Sequence, residues 1–268
     1  MKAISFELSG KTAMFKKPDV NSYLYLTYNN IHKPALLGLL GAVIGLSGYN
    51  QLHTQKELLK EKIKGLKGKD KKVLQEELKE LNGKFPEFYE KLKDLKVSIT
   101  PMAPHGYFSK KVQVFNNSVG YANKDGNLIV REQWLEKPKW QIMILDDESE
   151  VYTQLKEHLL NKKSVYIPYL GKNDHPAKID KAKEVKLDEV YLKEGNYVDS
   201  LFIKTEEITG FEKEEEGEMP FIFQEVSPLT LQEEFHFYEY KTLCFSNQEL
   251  DSIPNNSYSF NQKNYSFF

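Results

Sequence analysis

Residues Ala35 to Leu46 form the longest apolar run in the chain, about 12 residues with Gly38, Gly41 and Gly45 inside it. A membrane span needs about 20 apolar residues. The run is too short for that, so it predicts a helix buried in a core. Pro34 fits the first helical position, where its missing N–H costs nothing. The segment PALLGLLGAVIGLSGY is apolar nearly all round, so the helix must be enclosed on every side. Each glycine weakens a helix by about 1 kcal/mol relative to alanine. Three of them at helical spacing predict close packing against a sheet or another backbone.

A chain of 268 residues has the length for one large domain or two small ones. Apolar residues at 40% and aromatics at 13% exclude a wholly disordered protein. The amino-terminal stretch MKAISFELSGK has no long apolar segment, so secretion is not expected and a cytoplasmic protein is. Cys244 is the only cysteine, which excludes an intrachain disulfide and a cysteine-based zinc site. The net charge of −2 hides an asymmetry: residues 205–268 carry −10 and residues 1–204 carry +8. The front of the chain can face a polyanion, or its charge can be a solvated Lys/Glu surface. Arg131 is the single arginine beside 36 lysines. Lysine contacts phosphate as a point charge and makes poor bidentate base contacts.

The patterning predicts a strand over residues 2–8, a loop rich in Lys, Asn and Tyr, and then the buried helix. Residues 54–94 are dense in Lys, Glu and Leu. Leu58, Leu59, Ile63 and Leu66 make one helical face, and Val73, Leu74, Leu78 and Leu81 make another. A third short helix is expected near Pro86 to Leu95. LKVSITPM reads as a strand, and alternation with Asn-rich turns reads as a protruding hairpin over 103–131. WQIMIL reads as a strand, SEVYTQLKEHLLNKK as a helix capped by Ser149, and SVYIPYLG as a further strand. Strand–helix–strand–strand–helix–strand is the split βαβ, ferredoxin-like order. The expected fold class is therefore α+β. A ferredoxin-like, RRM-like domain spans 1–180, with a helical insertion at 50–94 and a hairpin at 103–131. A smaller β-rich region spans 181–268, and its last dozen residues read as a tail.

The chain has no Walker loop, no GxGxxG, no HExxH and no GxSxG. Gly38-Leu-Leu-Gly41 mimics a KH loop, but that loop is exposed and this one is apolar and helical. No two of the six histidines have metal-ligand spacing on one helix, and neither a metal nor a cofactor is expected. The loop before the buried helix holds Lys16, Lys17, Tyr28, His32 and Lys33. Lysine for phosphate and aromatics for base stacking are what single-stranded nucleic acid requires. The hairpin adds Lys110, Lys111, Asn116, Asn117 and Arg131. A tyrosine-rich loop packed on the domain and an ordinary exposed hairpin are the alternatives.

The segments ISFEL, GKTAMFKKP and TYNNIHKPALLGLLGAVIGL together resemble the amino-terminal signature of the CRISPR-associated Cas-five family. FPEFYEKLKDLKVSI, REQWLEKPKWQIMIL and SVYIPYLGKNDHPAKI are similar in kind to its type I-B branch. The resemblance covers most of residues 1–180. It implies a subunit of the Cascade surveillance complex that holds the 5′ handle of CRISPR RNA. It also implies partners: the CRISPR RNA, the backbone subunit, the large subunit and, indirectly, target DNA, with no membrane. By position, residues 103–131 are the family's thumb, and the insertion is a candidate contact for the large subunit. In the type I-C branch the homologue is a metal-independent nuclease using Tyr, Lys and His. Tyr28, His32 and Lys33, or His105 with Lys110, supply those types here. The expectation is nevertheless a non-catalytic RNA-binding subunit, with a metal-independent endoribonuclease and a protein-only scaffold as the alternatives.

Overall fold

The computed structural model describes residues 1–18, 24–117, 128–190, 195–205, 211–212 and 219–268. The first half of the chain runs β1 (Lys2–Gly10), β2 (Thr12–Ala13), α1 (Lys33–Ile44), α2 (Tyr49–Lys64), α3 (Lys69–Gly83), α4 (Glu87–Leu92) and β3 (Val97–Pro101). It continues through β4 (Lys110–Asn117), β5 (Leu128–Glu136), β6 (Lys139–Leu145), α5 (Glu150–Leu160) and β7 (Ala177–Lys186). The remaining strands are β8 (Phe202–Ile203), β9 (Phe211–Glu212), β10 (Ile222–Leu231), β11 (Tyr238–Ser246), β12 (Glu249–Leu250), β13 (Ser257–Phe260) and β14 (Lys263–Ser266).

The central sheet has the order β3-β6-β1-β7, with every neighbour antiparallel. Strands β1 and β3 enclose α1 in sequence yet lie apart, because β6 is inserted between them. That is the ferredoxin-like arrangement, and the fold is α+β. Alternation decides which face is covered. Ile4, Phe6 and Leu8 of β1, with Ile142 and Ile144 of β6, point to α1 and α5 and share one core with Leu36, Leu40, Tyr152 and Leu155. Ser149 caps α5 by accepting from the Tyr152 N–H at 3.0 Å.

The glycines of α1 do two different jobs. A Cβ on Gly41 would stand 2.6 Å from Phe88 Cβ, so this glycine lets α4 approach the helix. Gly45 ends α1 in the left-handed region at φ 81, and its N–H returns to the Gly41 carbonyl. Helices α2 and α3 form a hairpin joined by residues 65–68. Leu52 is the only buried residue of α2, and α3 has none.

Two expectations are corrected. SVYIPYLG is not a strand: Val165, Tyr166 and Ile167 are exposed in an irregular segment, and the fourth sheet strand is β7, which runs through residue 180. The last dozen residues are not a tail. Strands β13 and β14 form a hairpin whose Tyr265 and Phe267 cover Ala3, Met143 and Val185 on the outer sheet face. Phe268 exchanges two backbone hydrogen bonds with Val97, each 3.1 Å, and so extends the β3 edge. The carboxyl-terminal region also contributes Leu201, Leu231 of β10 and Leu243 of β11 to the main core.

Candidate nucleic-acid interface

The loop after β1 is drawn onto the hairpin by backbone bonds. Thr12 and Ala13 pair with Glu136 and Leu135. The Tyr25 N–H donates to the Arg131 carbonyl at 2.9 Å, and the Gln133 N–H donates to the Tyr25 carbonyl at 2.9 Å. Lys16 bridges Thr27 across the loop. The two regions singled out in the sequence therefore form one surface, with β4 and β5 paired from Lys110↔Leu135 to Asn117↔Leu128.

Cations and rings interleave on that surface. The Lys16 ammonium lies 3.7 Å from the Tyr25 ring centroid, and Lys17 lies 5.0 Å from that of Tyr28. Lys110 sits 5.0 Å from the Tyr107 ring and Lys111 5.8 Å from the Trp134 ring. Each pair holds a positive charge over a π-face. Arg131 and Asn116 are exposed on the hairpin face of Lys110, opposite that of Lys111 and Trp134. Asn117 belongs to β4, but its side chain lies outside the described residues, as does the hairpin tip at 118–127.

Cross-strand alternation gives the hairpin two faces. Val112, Val114 and Ile129 are exposed on the face of Arg131. On the other face Trp134 meets His175 edge to face at 4.6 Å, and Thr12 shares a 2.7 Å hydrogen bond with His175 Nδ1. Burial, and then the neighbouring Lys172, lower the affinity of His175 for a proton. Glu132 is buried there, accepting from Lys172 at 2.8 Å and from Trp134 Nε1 at 2.9 Å. Tyr25 belongs to the Lys/Tyr loop that the sequence marks for single-stranded nucleic acid, whereas Tyr107, Trp134 and Lys172 were not singled out there.

Tyr28, His32 and Lys33 take another place. All three are buried, at 3%, 3% and 5% exposure, and they build the core rather than line a surface. His32 is the N-cap of α1, its Nδ1 accepting from the Ala35 N–H at 3.2 Å. Its ring stands edge-on to Phe15, Tyr28 and Tyr238. Burial holds its pKa down to about 3. Burial, and then the nearby Lys96 charge, lower Lys33 to about 8. A histidine two residues before a helix-initiating proline was the available signal for a cap.

The neighbouring asparagines hold this junction together. Asn29 Nδ2 donates to the Gly106 carbonyl at 2.8 Å, while its Oδ1 accepts from the Phe108 N–H at 3.1 Å. Asn30 Oδ1 accepts from Trp140 Nε1 at 2.9 Å. Glu225 of β10 accepts from the Asn29 N–H at 3.0 Å and lies 3.7 Å from the Lys17 ammonium. Burial raises the Glu225 pKa, and its backbone and lysine partners oppose the rise. Lys110 is shifted down, first by burial. The carboxylate thus ties the loop, the hairpin root and the carboxyl-terminal sheet together.

Among the described residues the four strands of the central sheet present no aromatic ring on their outer face, which Tyr265 and Phe267 of the carboxyl-terminal hairpin partly cover. Ser5, Glu7, Gln141, Ser98 and Thr100 lie there, and Glu7 pairs with Lys139 and Lys181 at 2.9 Å each. Among the described residues no group of three His, Cys, Asp or Glu side chains converges as metal ligands would.

No family model and no curated protein matches the chain. Among solved structures it is similar to a chain of a CRISPR RNA-guided surveillance complex, with TM-score 0.49 and 10% identity over 92% of this chain and 91% of that one. It is also similar to a CRISPR protein from Archaeoglobus fulgidus, with TM-score 0.47 and 11% identity over 99% and 98%. A chain of the type III-B Cmr-beta complex, described as bound to cognate target RNA and AMPPnP, gives TM-score 0.40 and 10% identity over 93% and 86%.

Proposed function

We propose that the chain is a non-catalytic RNA-binding subunit of a type I-B Cascade surveillance complex. In this reading it holds the 5′ handle of the CRISPR RNA and joins the backbone and large subunits in the cytoplasm. The sequence resemblance over residues 1–180 suggests the complex. One observation carries the binding site: Lys16, Lys110 and Lys111 lie over the rings of Tyr25, Tyr107 and Trp134, at the loop and the hairpin root. Lysines neutralise phosphates and the rings are platforms for unstacked bases, which is the chemistry of single-strand binding. Lys16, Lys17, Lys110, Lys111 and Arg131 then contact RNA, Lys110 and Arg131 from one face of the hairpin and Lys111 from the other, while Tyr28, His32 and Lys33 support the loop from beneath. The burial of those three supports the non-catalytic reading for that set, because a cleaving Tyr, His and Lys must reach the scissile phosphate; the second set, His105 with Lys110, keeps His105 exposed and is what the cleavage assay tests. The exposed Val112, Val114 and Ile129 are the surface offered to the backbone subunit.

The test is fluorescence anisotropy with labelled single-stranded repeat RNA. Replacing Lys16, Lys110, Lys111 and Arg131 by Gln should weaken binding at least about tenfold. It should also flatten the plot of log K against log salt by about 0.7 for every phosphate no longer neutralised. Unchanged affinity and slope would refute the site. A denaturing gel of the same RNA, incubated in EDTA, should show no cleavage product.

A further inference from the structure

The chain has a second basic surface of different chemistry, at the tip of the α2–α3 hairpin. Between Lys60 and Lys72 there are seven lysines and two carboxylates. Lys62, Lys64, Lys67, Lys69 and Lys72 are exposed and Lys71 is half-buried. Lys60 pairs with Glu57 at 2.7 Å, but among the described residues none of the other six lysines has an ion-pair partner. Folding does not account for them. Lys69, Lys71 and Lys72 occupy the first turn of α3, where the helix dipole disfavours positive charge. Nor does this end of the hairpin hold the core together, since α3 buries no side chain at all.

From residue 50 to residue 84 there is no Phe, Trp or Tyr. The tip therefore offers charge without stacking platforms, the reverse of the loop and hairpin-root surface. Single strands are gripped by rings together with cations, whereas stacked duplexes present only phosphates and groove edges. An interfacial membrane helix needs large apolar side chains on its free face. Here Leu59, Ile63, Leu74 and Leu78 are half-buried, Leu58 and Val73 are exposed, one on each helix, and there is no aromatic ring to insert. Lysines as point charges, with no arginine among them, suit phosphate contact without base readout. We infer that the tip of the α2–α3 hairpin is a sequence-independent binding surface for the phosphate backbone of a nucleic-acid duplex. This inference does not depend on the RNA site proposed above, which lies on other elements.

The experiment uses the full chain and a labelled mixed-sequence DNA duplex of about 30 base pairs, followed by anisotropy at roughly 50–200 mM salt. Lys62, Lys64, Lys67, Lys69, Lys71 and Lys72 are replaced together by Gln. Duplex affinity should fall at least about thirtyfold, and the salt slope should flatten by about 0.9 for every phosphate no longer neutralised. The single-stranded RNA affinity of the same variant should change less than about threefold, since its site is untouched. The matching Lys→Arg set should keep duplex binding, and a duplex of unrelated sequence should bind as tightly. Four results would overturn the inference: no duplex binding by the wild type, equal binding by the Gln variant, an equal fall for duplex and single strand, or a fall in binding to anionic vesicles only. Failure of the single-strand site leaves this result unaffected, because each probe has its own variant.

Discussion

His32 gives the sharpest test of how the loop is built. Its imidazole is enclosed by Phe15, Tyr28 and Tyr238, and its Nδ1 must be unprotonated to accept from the Ala35 N–H at 3.2 Å. Burial lowers its pKa to about 3, against about 6.5 in an unfolded chain. Between those values the unfolded state binds a proton that the folded state refuses. The stabilisation is therefore complete above about pH 6.5 and is lost as the pH falls toward 3. The slope is at most about 1.4 kcal/mol per pH unit, so roughly 2–3 kcal/mol should disappear between pH 6.5 and 4.5. His32→Asn separates this effect from all other titrations, because asparagine caps a helix well but carries no proton. At pH 7.5 the variant should be less stable by about 1–3 kcal/mol, from the space left among the three rings. Urea unfolding followed by tryptophan fluorescence at several pH values gives the difference directly. The gap between wild type and variant should close by about 2–3 kcal/mol on acidification to pH 4.5 and should reverse if the initial gap is small. Two parallel stability curves would refute the argument, because they would mean that His32 titrates in the folded protein as an ordinary exposed imidazole.

The same junction and α1 each give one more prediction. Asn29→Ala should cost about 1–3 kcal/mol by denaturant unfolding, because it strands the buried Phe108 N–H and leaves the Gly106 carbonyl only the 3.5 Å bond from Asn30 Nδ2. Gly41→Ala should destabilise by about 1–3 kcal/mol despite its better helix propensity, because the new Cβ meets Phe88 Cβ at 2.6 Å. A Gly41→Ala variant as stable as the wild type would show that α4 shifts freely.

The elements were legible where the pattern was local. The apolar glycine helix, the Ser149 cap and the WQIMIL strand each carry their own signal within a few residues, and each folds as that signal dictates. The ferredoxin-like order followed from them. What was not legible depends on partners far away in sequence. The aromatic run PNNSYSFNQKNYSFF has the composition of a polar tail. It becomes a hairpin because Ala3, Met143 and Val185 leave an apolar patch for Tyr265 and Phe267 to cover. SVYIPYLG has strand propensity, but its Val165 and Tyr166 N–H groups donate to the Val43 and Ala42 carbonyls at the end of α1, and both sides of β1 are taken by β6 and β7. Tertiary pairing overrides propensity in both cases.

The candidate site divides along the same line. Residues 16–33 mix Lys, Tyr, Asn and His, and composition alone gives every one of them the same prospect of meeting RNA. The backbone sorts them. Lys16, Lys17 and Tyr25 lie on the mini-hairpin that docks on β5, so their side chains border solvent. From Tyr28 onward the chain turns under the sheet to start α1, and the same residue types become caps and buried hydrogen-bonding groups. The sorting requires Glu225, 196 residues beyond Asn29, to accept the backbone N–H groups at the turn. No local pattern encodes that distance. The charge of this surface is therefore readable from the amino-terminal sequence, but which lysines and rings are outward is fixed by the carboxyl-terminal sheet. A chain lacking β10 and β11 would keep the composition of the site and lose its geometry.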